Sequence, residues 1–78
     1  MEHYHVIELK TNTYFNRFYP TLDEKGKKHM NLIDTVSGLF YAKQYKTKES
    51  AEKDVKRIRN IDKEANPNIR TITITLTN

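Results

Sequence analysis

With 78 residues, 36% hydrophobic and 31% charged, the chain has room for one domain around a single thin core and excludes a second. The absence of cysteine excludes a disulfide framework, a thiolate metal site and a cysteine nucleophile. A net charge of +4 with a pI of about 9.4 permits attraction to nucleic acid or to an acidic protein, without requiring either. No apolar run approaches membrane-spanning length and residues 1–30 carry no signal-peptide core, so a cytoplasmic setting is expected. The abundance of Lys, Asn, Thr and Ile, with little Ala and Gly, suggests an AT-rich genome such as that of a low-GC bacterium or its phage.

Tyr4 to Lys10 reads as a first strand, with His5, Ile7 and Leu9 on one face and Tyr4, Val6, Glu8 and Lys10 on the other. Thr11-Asn12-Thr13 is turn-prone, and a second, strongly aromatic strand follows from Tyr14 to about Leu22. Pro20 has no amide donor and marks an edge position or a strand end. Asp23-Glu24-Lys25-Gly26 is a hairpin turn in which Gly26 is free to take positive φ. Lys27 to Asp34 is a third strand whose core face is expected at Met30 and Leu32, with Ile33 out of pattern. After a break at Val36-Ser37-Gly38, the alternation from Leu39 to Lys46 predicts a fourth strand.

Thr47 to Asn66 is the only long stretch with helical periodicity. Ala51, Val55, Ile58, Ile61 and Ala65 fall in one apolar stripe, with Thr47 as N-cap, Glu49 and Glu52 near the positive end of the dipole, and Asn66-Pro67 as a stop. Ile69 to Thr77 is the cleanest strand. Ile72, Ile74 and Leu76 share the face expected to meet the helix, and Thr71, Thr73, Thr75 and Thr77 face water. The predicted fold is α+β, order ββββαβ: a mainly antiparallel sheet of four to five strands with one helix on one face, residues 1–78 forming a single domain.

Catalytic and ligand-binding sets are sparse. His3 and His5 project from one strand face and, with His29, have the residue types of a metal site, but no carboxylate is placed to complete one and a surface histidine pair is the plainer reading. Ser37 and Ser50 are the only serines, and Ser50 sits in a helix first turn, where it serves capping. Glycine occurs only at Gly26 and Gly38, too sparsely for a phosphate-cradling loop. No enzyme, metal or cofactor is therefore expected. Tyr14, Phe18, Arg17, Tyr41 and Tyr45 have the composition of a base-stacking platform, although a domain this small needs most of its rings for the core. Lys53, Lys56, Arg57 and Lys63 mark the outer helix face as a candidate contact surface, against the plainer reading of a solvated face.

Two resemblances add expectations. The hairpin Asp23-Glu24-Lys25-Gly26-Lys27-Lys28 and the junction Gln44-Tyr45-Lys46-Thr47-Lys48-Glu49-Ser50-Ala51 resemble the arm-binding N-terminal domain of tyrosine integrases, in which a three-stranded sheet enters the DNA major groove. That likeness implies Arg17, Lys27, Lys28 and Lys43 as DNA contacts; the chain departs from the family in lacking the glycine before the junction aromatic, in its strand after the helix and in having no catalytic domain. The whole chain, with one short sheet and a helix beginning Thr-Lys-Glu-Ser-Ala-Glu, is similar in style to small phage-encoded accessory proteins, some of which block bacterial defence nucleases, including CRISPR effectors. Members that mimic DNA are usually acidic, whereas this chain is basic. The expectation is a non-enzymatic binding protein of a mobile element that occludes a host protein or nucleoprotein complex in the bacterial cytoplasm. Sheet-mediated DNA binding is the alternative, and homodimerisation through an edge strand such as Ile69–Thr77 a further possibility.

Overall fold

In a computed structural model describing residues 2–75, the chain forms a four-stranded antiparallel sheet with one α-helix on one face. The elements are β1 (Glu2–Lys10), β2 (Thr13–Leu22), β3 (Lys28–Val36), a 3₁₀ turn (Leu39–Tyr41), α1 (Lys48–Ile61) and β4 (Asn68–Ile74). The strand order is β3-β2-β1-β4, which leaves β3 and β4 as the edges. Leu76 and Thr77 of the expected last strand lie outside the described residues.

The fourth strand expected over Leu39–Lys46 does not form. Leu39–Tyr41 turns as a 3₁₀ helix, and only Tyr45 joins the sheet, exchanging both backbone hydrogen bonds with His5 at 2.8 Å. The segment is a wedge. β1 and β2 pair at Glu8–Tyr14 and Lys10–Thr13, next to a turn in which Asn12 takes φ 60°, and then part. Lys43 N–H fills the gap by donating to the Phe15 carbonyl at 3.0 Å, two residues before the Tyr45 bridge. Short pieces that satisfy buried backbone in this way replace a strand where two neighbours diverge.

Two cores follow from the sheet having both faces covered. On the helix side, Ile7, Phe15 and Tyr45 pack against Ala51, Val55 and Ile58, with Phe18, Ile33 and Ile69 around them. On the other side, Tyr4, Val6 and Ala42 pack with Tyr14, Val36, Leu39 and Ile72, so the 3₁₀ turn is the lid of a second, smaller core. This corrects the expected role of the last strand. Ile72 and Ile74 face away from the helix, Ile69 meets it, and Thr71 and Thr73 lie on the helix side, where they bond His5 and His3 at 3.0 Å. Likewise Ile33 is the packed residue of β3, whereas Met30 and Leu32, expected as its core face, are exposed.

The helix begins where expected, with Thr47 accepting from the Ser50 N–H at 3.2 Å, and it buries Ala51, Val55 and Ile58. It stops at Ile61, several residues before Asn66-Pro67. Asp62 takes over the last turn: its N–H reaches the Ile58 carbonyl, and its side chain accepts from the Glu64 N–H at 3.0 Å in a local turn that competes with helix continuation. Helix and hairpin differ in reach. Fourteen helical residues span about 21 Å, whereas the ten residues of β2 span about 33 Å. The β2–β3 hairpin therefore overhangs the core as an arm, and the molecule measures 56 × 22 × 22 Å.

Candidate functional site

The arm starts where packing ends. Phe18 and Ile33 are its last cross-strand pair on the helix-side core, with Phe15 and Phe18 rings 4.6 Å apart and the Arg57 guanidinium 4.3 Å above the Phe18 ring. The next pair, Tyr19 with Leu32, points to the opposite face by the alternation of a strand. A register shift between Tyr19 and Thr21 coincides with Pro20, which cannot donate to the ladder; here β2 has left β1 behind and only β3 flanks it. Beyond it Leu22 is 66% exposed and Met30 44% exposed.

The arm's tip is ordered by Asp23. Its carboxylate accepts from the Lys25 and Lys27 N–H groups at 2.9 Å and sits 3.0 Å from His29 Nε2, while Gly26 closes the turn at φ 78°. The hydrogen bond with His29, reinforced by the backbone donors, holds the Asp23 carboxyl below its ordinary value of 3.8.

On the same face as Tyr19 and Leu32, the 3₁₀ turn sends Leu39 and Ala42 inward and leaves Phe40 85% and Tyr41 75% exposed. The exposed Tyr41 ring lies over Gly38, where a Cβ would come 2.7 Å from Tyr41 Cδ2 and turn the ring aside. The face away from the helix thus carries apolar groups at two stations, the 3₁₀ turn and the arm. Between them lies a polar strip in which Asp34 takes Asn16 Nδ2 at 2.9 Å and Arg17 Nε at 3.4 Å.

The basic residues singled out from the sequence do not gather. Arg17 lies in that polar strip, and Lys27 and Lys28 are at the arm's tip. Lys43 is on the helix side, its Nζ 3.1 Å from Asp54 and 5.0 Å from the centre of the Tyr45 ring. Tyr45 O–H donates to the same Asp54 carboxylate at 2.5 Å, and burial with this negative neighbour pushes the Tyr45 hydroxyl up out of the titrating range. Lys53 borders that cluster, Arg57 is committed to Phe18, Lys56 faces a groove beside β4, and Lys63 follows the helix as an exposed side chain.

Among the described residues no three His, Asp or Glu side chains form a cation-binding group. His3 and His5 do share one face, each bonded to a threonine of β4, while His29 is at the arm's tip. Of the proposed stacking set, Phe18 and Tyr45 are core residues and Tyr14 packs in the second core, leaving Tyr41 as the open ring. The exposed groups Tyr19, Leu22, Met30, Leu32 and Phe40 escaped the residue pattern because apolar alternation looks the same whether or not a layer covers it. The overhang itself shows only once the helix is seen to stop at Ile61, because a helix of fourteen residues is outrun by a strand of ten, whereas one reaching Asn66 would nearly match it. No helix is long and apolar enough to cross a membrane among the described residues. No protein-family model matches the chain, and no curated protein or solved structure is significantly similar to it.

Proposed function

We propose that the protein is a non-enzymatic binding module that docks on another protein through the face opposite its helix and acts by covering that partner's working surface. The observation that carries this reading is the placement of Tyr19, Leu22, Met30 and Leu32 on an overhanging arm, with Phe40 and Tyr41 displayed on the neighbouring turn. Exposed aromatic and methionine side chains held on rigid elements are the residue types that anchor protein interfaces, and leaving them in water opposes solubility unless a partner takes them up. Occlusion fits a small accessory protein of a mobile element, and a host defence nuclease is the kind of target such a protein covers.

Affinity capture from a bacterial lysate, with and without nuclease, tests the proposal. A protein partner retained after nuclease treatment and lost in a Tyr19→Ser, Met30→Ser, Leu32→Ser variant is the expected result. Capture that disappears with nuclease would overturn it.

One feature favours a second reading, duplex DNA binding. A two-stranded ribbon fits the major groove, and the arm's tip carries Lys25, Lys27 and Lys28. Asp23 and Glu24 offset most of that charge, and Arg17 already faces Asp34. A DNA-binding arm would lose affinity steeply with added salt, about one counterion for each phosphate engaged.

A further inference from the structure

The opposite edge of the sheet carries a second surface, independent of the arm. We infer that the groove between α1 and β4 takes an extended acidic peptide segment, which adds to β4 as a fifth strand. His5 gives both backbone groups to Tyr45, so the intervening residues Tyr4, Val6 and Glu8 direct theirs to β4. Their partners Ile72, Arg70 and Asn68 point inward, which leaves the N–H and C=O groups of Ile69, Thr71 and Thr73 on the open edge. This edge has no proline, and its pairing with β1 runs in unbroken register from Glu2–Ile74 to Glu8–Asn68. Its one charged residue, Arg70, is turned to the other face, where it bonds Glu8 at 3.0 Å. The edge therefore lacks the devices that usually block strand addition.

Charge selects the occupant. The groove has a volume of about 460 Å³ and an apolar floor of Val55, Pro67 and Ile69. Lys48, Lys56 and Arg59 form its helix wall, against the single carboxylate of Glu52. A strand paired with Ile69, Thr71 and Thr73 places alternate side chains toward that wall, and carboxylates at those positions meet three cations. The intervening side chains fall beside Ile72 and Ile74 and are best apolar and β-branched. A second copy of this chain, added antiparallel through the same edge, would bring a second helix onto the same face and set two basic walls against each other. The geometry thus favours a foreign acidic segment over self-pairing.

The test uses the full chain and an N-acetylated peptide alternating Glu with Val, followed by amide chemical shifts and calorimetry. The expected result is saturable binding with the largest shifts at Ile69, Thr71 and Thr73. Methylating alternate peptide amides should abolish it, and a Lys48→Glu, Lys56→Glu variant should weaken it more than tenfold while gaining affinity for a second peptide that alternates Lys with Val. Glu is well placed at both positions of an exposed helix, so the variant keeps its fold, which circular dichroism verifies. Equal binding of a peptide with the same composition in scrambled order, shifts centred elsewhere, absence of binding at millimolar peptide, or dimerisation that masks the edge would each overturn the inference. The arm is untouched in every sample, so the outcome is separate from that of the capture experiment.

Discussion

Tyr45 joins three parts of the molecule through one side chain. Its backbone closes the wedge onto His5, its ring lies in the helix-side core, and its hydroxyl donates to Asp54 on the helix. Removing the hydroxyl leaves Asp54 with Lys43 alone, and a hydrogen bond to a charged group is worth about 1.5–3 kcal/mol. Tyr45→Phe should lose roughly that much in denaturant unfolding at pH 7. The pH dependence has a definite sign. The unfolded tyrosine ionises near 10.0, while in the folded protein burial and Asp54 keep it neutral. Protons therefore leave the unfolded state first, and stability is full below pH 10 and falls above it. The wild type should lose stability more steeply between pH 10 and 11 than Tyr45→Phe, and parallel curves would refute the assignment. Residue pattern does not mark Tyr45 for this position, because Asp54 is nine residues away, across the junction between the expected fourth strand and the helix.

At the scale of elements, the helix start was legible and the helix end was not. Thr47 precedes a clear apolar stripe, and its hydroxyl makes the expected bond to the Ser50 N–H. Thr47→Ala should cost about 1 kcal/mol, seen as a fall in Tm of about 4–8 °C in a domain of this size. An unchanged Tm would mean that the first turn is held by tertiary packing instead. The helix end depended on Asp62, whose side chain caps Glu64 locally, and periodicity does not report such competition. The alternation of β4 is as expected and Thr71 and Thr73 are exposed, but the helix lies on their face of the strand and not on that of Ile72. Period-two patterns separate two faces without naming the layer on each, and here the 3₁₀ turn covers the isoleucine face that the helix was expected to cover. The same ambiguity hides the groove, since Lys48, Lys56 and Arg59 become a wall only once the helix is placed on the Ile69 face of β4.

For the molecule as a whole, the arm sets the shape. A globular chain of this length has a radius of gyration of about 11.5 Å, and this one has 14.3 Å. Replacing residues 20–31 with an Asn-Gly turn would join Tyr19 to Leu32 through the shortest favourable hairpin loop. Phe15, Phe18 and Ile33 stay in place, so cooperative unfolding should persist with Tm changed by only a few degrees. Scattering should show the radius of gyration falling toward the globular value, and capture of the protein partner should be lost. A shortened chain that no longer folds would show that the overhang stabilises the core it projects from, contrary to the separation of scaffold and arm described above.

The pairing of β1 with β4 also governs when the fold can be completed. The His5–Thr71 bond joins residues 66 apart in the chain. At ordinary translation rates of about 5–20 residues per second, β1 precedes its partner by roughly 3–13 s. During synthesis, Val6 and Ile7, fully buried in the finished fold, wait that long for the strand that completes their pairing.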